Sequence, residues 1–143
     1  MPKSTTFSND LAALIFNATA IADIAENDSS SPLANLYLSL HTADPGLGGS
    51  QTTNETSYTN YARIAVARTS GGWTVASGAA ENAALAQFAQ CGASGATITH
   101  VAIGTASSGA GKVLYAGELA SSLAVANLIQ PQFAAGALTA TES

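Results

Sequence analysis

The stretch Leu36 to Gly46, LYLSLHTADPG, decides how the chain reads. Its first half alternates. Leu36, Leu38 and Leu40 point to one side of an extended strand, and Tyr37, Ser39 and His41 point to the other. Its second half is a stop. The Asp44 side chain can close a turn, Pro45 presets φ, and Gly46 accepts a positive φ. A half-buried strand therefore ends at His41 and gives way to a Gly- and Thr-rich loop running to about Thr59. A loop of this length in a small domain carries a job more often than not. The expectation is contact with a neighbouring protein, through His41, Thr42, Asp44, Pro45, Gly46, Gly48 and Gly49, with Tyr61 and Arg63 opening the next strand.

Downstream the two-residue period recurs. Tyr61 to Arg68 reads as a strand, with Ile64 and Val66 on one face. Gly71-Gly72 marks a turn, and Trp73 to Ala76 returns from it. Asn82 to Ala89 is locally ambiguous between helix and strand, and its neighbours favour strand. Thr97 to Gly104, Lys112 to Ala116, Leu123 to Ile129 and Ala137 to Thr141 complete the set. About eight short strands separated by turn signals predict a mainly β fold, a jelly-roll-like antiparallel β-sandwich over residues 34–141. Its core would be Leu36, Leu38, Leu40, Ile64, Val66, Trp73, Ile98, Val101 and Ile103.

Upstream the period is helical. Leu11, Leu14, Ile15, Ala18, Ile21, Ala22 and Ala25 recur at helical spacing, with Ser8 or Asn9 as the cap and Asp10 at the positive end of the dipole. This predicts one N-terminal helix over residues 8–26. Asp10 and Asn17 argue against reading the same stretch as a signal peptide. With 143 residues and no internal linker or repeat, the whole of 1–143 is expected to form one domain.

Composition narrows function. Charged residues are only 9% of the chain, against about 25% in typical soluble domains. Hydrophobic residues are 47%, so the low charge does not signal disorder. The polar surface is built from Ser, Thr, Asn, Gln and Gly, which cost far less to bury against a partner than ions do. The net charge is −5, and the cations Lys3, Arg63, Arg68 and Lys112 are scattered. That speaks against direct nucleic-acid binding and against anionic membranes. The single cysteine, Cys91, allows no internal disulfide and fits synthesis in a reducing cytoplasm.

No catalytic, cofactor or metal constellation emerges. His41 and His100 stand nearly 60 positions apart, no serine lies in a GxSxG elbow, and the glycine clusters lack a phosphate-loop lysine. A strand-end histidine making a structural hydrogen bond is the expected role for His41. Arg63, in a chain short of cations, is expected to pair with Asp44 or Glu55 and tie the loop to the sheet.

Taken together, PLANLYLSLHTADPG, GGSQTTNETSYTNYARIAVART, SGGWTV and ITHVAIGTASSGAGKVLYAGEL resemble a family of small proteins encoded in tailed phages and prophages. The paired signatures are LxLHTADPG and YARxxVxR. Its members are labelled as tail-fibre-like or structural proteins, and some resemble capsid cement proteins. The resemblance implies a non-enzymatic virion protein, made in the host bacterial cytoplasm, with no cofactor and no small-molecule substrate. The first expectation is a cement or decoration protein on the outer capsid surface. A homodimer bound to the major capsid protein over joints between its subunits fits that role. A tail or tail-fibre accessory protein is the alternative, and a carbohydrate-binding β-sandwich the third.

Overall fold

A computed structural model describes residues 4–21 and 33–141. The chain is mainly β, with one N-terminal helix and antiparallel sheets, the make-up of a β-sandwich protein. It gathers into two compact units. The first comprises residues 1–35, 66–86 and 133–143, and the second residues 36–65 and 87–132.

In the first unit, helix α1 spans Thr5–Asn17. It begins earlier than the expected Ser8 because Ser4 is the cap, its side chain accepting from the Phe7 N–H. It stops at Asn17, short of the expected residue 26, because Ala18 turns left-handed at φ 52° and sends its N–H to the Ala13 carbonyl. Residues 22–26 of the expected helix lie outside the described residues. The buried stripe is Ser8, Ala12 and Phe16, not the Leu11, Leu14 and Ile15 series, which is only half-buried. Phe16 sets that orientation by meeting Trp73 edge-on, with ring centroids 4.7 Å apart.

Helix α1 packs on strands β3, Trp73–Ala76, and β4, Ala79–Asn82, which form a hairpin with β9, Thr139–Thr141, beside β4. Buried Asn82 ties this unit together. Its amide donates to the Ala84 and Ala134 carbonyls and accepts from the Leu138 N–H.

Arg68 closes the helix. Its guanidinium donates to the carbonyls of Leu14, Ile15 and Leu33 at 2.7–2.8 Å. Two of these are last-turn carbonyls without intrahelical partners, and the positive charge faces the negative end of the helix dipole. Burial pulls its pKa downward, yet guanidinium remains charged at any ordinary pH. Arg68→Ala should cost about 2 kcal/mol, as charge-assisted hydrogen bonds do, and Arg68→Lys should restore little because an ammonium cannot fork to three carbonyls. Urea denaturation of the three proteins measures this.

The four-stranded sheet has the order β2-β1-β6-β7, with β1 at Asn35–His41, β2 at Ile64–Ala67, β6 at Ala96–Gly104 and β7 at Val113–Val125. Leu38 faces Ile103, Leu40 faces Val101, and His41 faces His100 across the β1–β6 pair. The strands expected at 112–116 and 123–129 are one strand, β7, carrying an irregularity opposite Ile98 and His100, and it ends at Val125. The strand expected at 82–89 is two pieces, β4 and β5, Ala86–Gln87, interrupted at Ala83 to Leu85. Strand β5 pairs with β8, Gln132–Phe133. Of the expected core, Leu36, Leu38, Leu40, Trp73, Ile98 and Ile103 are buried, while Ile64, Val66 and Val101 are half-buried.

Candidate functional site

The segment from Leu36 to Gly46 lies in the second unit, and its turn closes as its residues predict. Gly46 N–H donates to Asp44 Oδ1 at 2.8 Å, and Gly46 has φ 73°. Gly49 is required for a different reason, since any Cβ there would overlap the Pro45 carbonyl. Gly48 has open space around its Cα. Asn54 donates to the Asp44 carbonyl at 2.8 Å, and the Thr42 N–H bonds the Asn54 carbonyl at 2.9 Å, so the base of the loop is closed. Gly46 makes the turn and Gly49 the close approach. Leu47 stands fully exposed at the tip.

Strand β1 departs from the half-buried pattern. Leu38, Ser39, Leu40 and His41 are all buried. The loop folds back over the face that carries Ser39 and His41, through a bridge between His41 and Glu55 and a bond from Thr56 N–H to the Leu40 carbonyl.

His41 is held at both ring nitrogens. Nδ1 lies 2.9 Å from the Thr53 carbonyl, and Nε2 lies 2.9 Å from Ser39 Oγ. A carbonyl only accepts, so Nδ1 carries the proton and neutral Nε2 accepts from the Ser39 hydroxyl. A Ser-His contact of this length could serve nucleophilic chemistry elsewhere. Here both residues are fully buried, so a substrate has no access to the pair.

Burial holds the His41 imidazole below its ordinary pKa. The Thr53 carbonyl and Glu55 pull it back up, while Arg63 and His100 press it further down. The unfolded chain then binds a proton that the folded chain resists. Stability from this group is complete above the unfolded value of about 6.5 and is lost as pH falls from there toward the folded pKa. The urea midpoint should therefore drop between pH 7.5 and 5.5, and His41→Gln should lessen that drop. An equal slope in both proteins would contradict this role.

Arg63 pairs with Glu55, one of the two expected carboxylates. The contact is bidentate, with Nε to Oε1 at 2.6 Å and Nη2 to Oε2 at 2.7 Å. The guanidinium also donates to the carbonyls of Ala106 and Gly109. The hydrogen bond to Glu55 raises the Arg63 pKa above its ordinary value, against the lowering effect of burial. Tyr61 completes the network, donating to Glu55 Oε1 at 2.9 Å and accepting from the Leu40 N–H at 3.0 Å. Burial drives the Tyr61 phenol well above its usual range. Tyr61 and Arg63 stand just before β2, which begins at Ile64 and not at the expected Tyr61, and from there one arginine fastens both the loop from Thr42 to Thr59 and the loop from Thr105 to Gly111.

Gln51 is the residue that sequence reasoning missed. It is fully buried, accepts from the Ala106 N–H at 2.9 Å, and its backbone N–H bonds the Gly111 carbonyl at 2.8 Å. A Cβ at Gly104 or Gly111 would overlap its side chain. The signal was present in GTASSGAG, but its meaning depends on a glutamine more than 50 positions away.

These groups hold two loops in shape and expose little that is reactive. The chain belongs to the family described as Podophage GP4 fiber I protein gp80, whose family model matches residues 3–141. It is thus a phage structural protein. No curated protein matches the chain.

Proposed function

We propose that this chain is a non-enzymatic component of a podophage fibre, supplying a β-rich body that packs against neighbouring virion proteins. The observation that carries this reading is the family match, which spans nearly the whole chain and bears a fibre protein's name. The buried polar groups support it, because Ser39, His41, Gln51, Glu55 and Arg63 are engaged in holding loops. The contact surface would include the loop from Thr42 to Thr59, with Leu47 at its tip.

The cement reading is the second. It is favoured by the 9% charge and by the absence of heptads or repeats that a long stalk would need. In that role the chain would bind the major capsid protein on the outer shell. The carbohydrate-binding reading loses its best residue, since Trp73 is fully buried.

Gold-labelled antibodies against this chain, applied to purified particles, separate the first two. Label confined to fibres, with far fewer copies than the major capsid protein, is the expected result. Label spread over the shell, with a copy number comparable to the major capsid protein, would overturn the fibre reading in favour of cement.

A further inference from the structure

His41 fastens strand β1 to the loop above it, and the fastening depends on where the ring carries its proton. The ring is fully buried. Nδ1 donates to the Thr53 carbonyl, and bare Nε2 accepts from Ser39 Oγ, both at 2.9 Å. The next residue along the loop, Asn54, closes the loop's base. Its carbonyl accepts from the Thr42 N–H, and its side-chain amide donates to the Asp44 carbonyl. On either side of this short stretch the loop is held by other means. Gln51 is tied to Ala106 and Gly111, and Glu55 to Arg63.

A second proton has no place in this arrangement. With hydrogen on Nε2, Ser39 Oγ has to accept, and its own hydrogen must turn away. Ser39 is fully buried, and its hydroxyl has no other hydrogen-bond partner among the described residues. A buried hydroxyl left so is costly. The added charge would be stranded too. Glu55 faces the ring from the loop, but it is bidentate with Arg63 and accepts from Tyr61, so its charge is already matched. Asp44 in the same loop accepts from the Gly46 N–H. His100, opposite His41 on β6, brings no negative charge, and Glu118 of β7 lies a strand further away, opposite His100. A buried cation without a free counter-ion is strongly disfavoured.

We propose that His41 is an acid-operated latch on this loop. When the ring takes up a second proton, Thr52, Thr53 and Asn54 come away from β1 and the base of the loop opens, while Gln51 and Glu55 keep their own anchors. Opening gives the imidazolium water and lets the Ser39 hydroxyl rotate freely. Burial holds the closed ring below its ordinary pKa, so the opened form takes the proton first, and falling pH favours opening. A local event of this kind is separate from unfolding of the whole chain. It does not depend on where in the virion the chain sits.

Amide exchange of the full chain tests this, read residue by residue by NMR and corrected for the pH dependence of the chemical step. The open fraction reported by the Thr42 and Thr53 amides should rise about tenfold from pH 7.5 to 5.5, because the opened ring binds one proton near its ordinary pKa of about 6.5. Gln51, whose N–H bonds the Gly111 carbonyl, and Trp73, whose N–H bonds the Thr69 carbonyl, should not follow. His41→Gln can still donate to Thr53 but takes no proton, and it should abolish the rise. His100→Gln should keep it. Where His41→Gln does not fold, the wild-type ring carbons decide, and they should report a neutral His41 at pH 6.0. Protection at Thr42 and Thr53 that ignores pH would overturn the proposal, as would a wild-type ring already protonated at pH 6.0. So would a loss shared equally by Gln51 and Trp73, a rise that survives His41→Gln, or one that vanishes in His100→Gln.

Discussion

Arg63→Ala should lower the unfolding free energy by about 3–4 kcal/mol, in the range seen when one member of a buried ion pair is removed. The Arg63 and Glu55 side chains are 2% and 15% exposed, so the surviving carboxylate would keep little water around it. Tyr61 would remain as its donor at 2.9 Å. The carbonyls of Ala106 and Gly109 would lose the guanidinium at the same time. The change thus removes one charge and releases two loops. A domain of this size has a total stability of about 5–15 kcal/mol, so the loss is a large share.

Two further variants separate charge from geometry. Arg63→Lys keeps the charge but cannot supply the Nε and Nη2 fork, so it should recover less than half of the loss. Arg63→Met combined with Glu55→Met removes both charges and should be less damaging than Arg63→Ala, because no ion is left stranded. Urea titrations followed by circular dichroism give all three values. A cost below about 1 kcal/mol for Arg63→Ala, the level of an exposed pair, would mean that the network does not hold the loops.

The two sequence signatures were legible to different depths. In LYLSLHTADPG the local chemistry decided the outcome, because turn residues act on their own backbone, and Asp44 caps Gly46 as its position implies. The burial of Ser39 and His41 was not legible, since it depends on a loop that returns from Glu55 and Thr56. In YARIAVAR the two arginines stand five positions apart with little to distinguish them. Arg63 grips two loops of the second unit, and Arg68 caps the helix of the first. Their partners lie up to 54 positions away in sequence, beyond any periodic pattern. Strand β7 reads as two in the sequence because its middle, Glu118 to Ser122, lacks clean alternation where the register with β6 shifts. The turn at Leu128 was invisible for a simpler reason. A leucine at positive φ contradicts the residue preference on which turn recognition rests.

Phe16→Ala should be the second severe substitution, at about 3–4 kcal/mol, within the range for a buried phenylalanine cut back to alanine. Phe16 is 1% exposed and meets Trp73 edge-on. It is the largest apolar anchor of helix α1, and a helix of 13 residues is marginal without packing. Asn17 adds polar contacts beside it. With its amide nitrogen turned toward them, it donates to the carbonyls of Thr69 at 3.2 Å and Trp73 at 3.1 Å. One compensation keeps the loss from being larger. The Trp73 Nε1–H is buried without a hydrogen-bond partner among the described residues, and a cavity at position 16 would admit water to it. The same event supplies a direct signal, since Trp73 is the only tryptophan in the chain. Its emission should shift to longer wavelength in native Phe16→Ala, before any denaturant is added, while Phe16→Leu should lose less stability and shift less. Emission unchanged in Phe16→Ala would show that the helix stays seated without its ring, and that Ser4, Arg68 and Asn17 suffice to hold it.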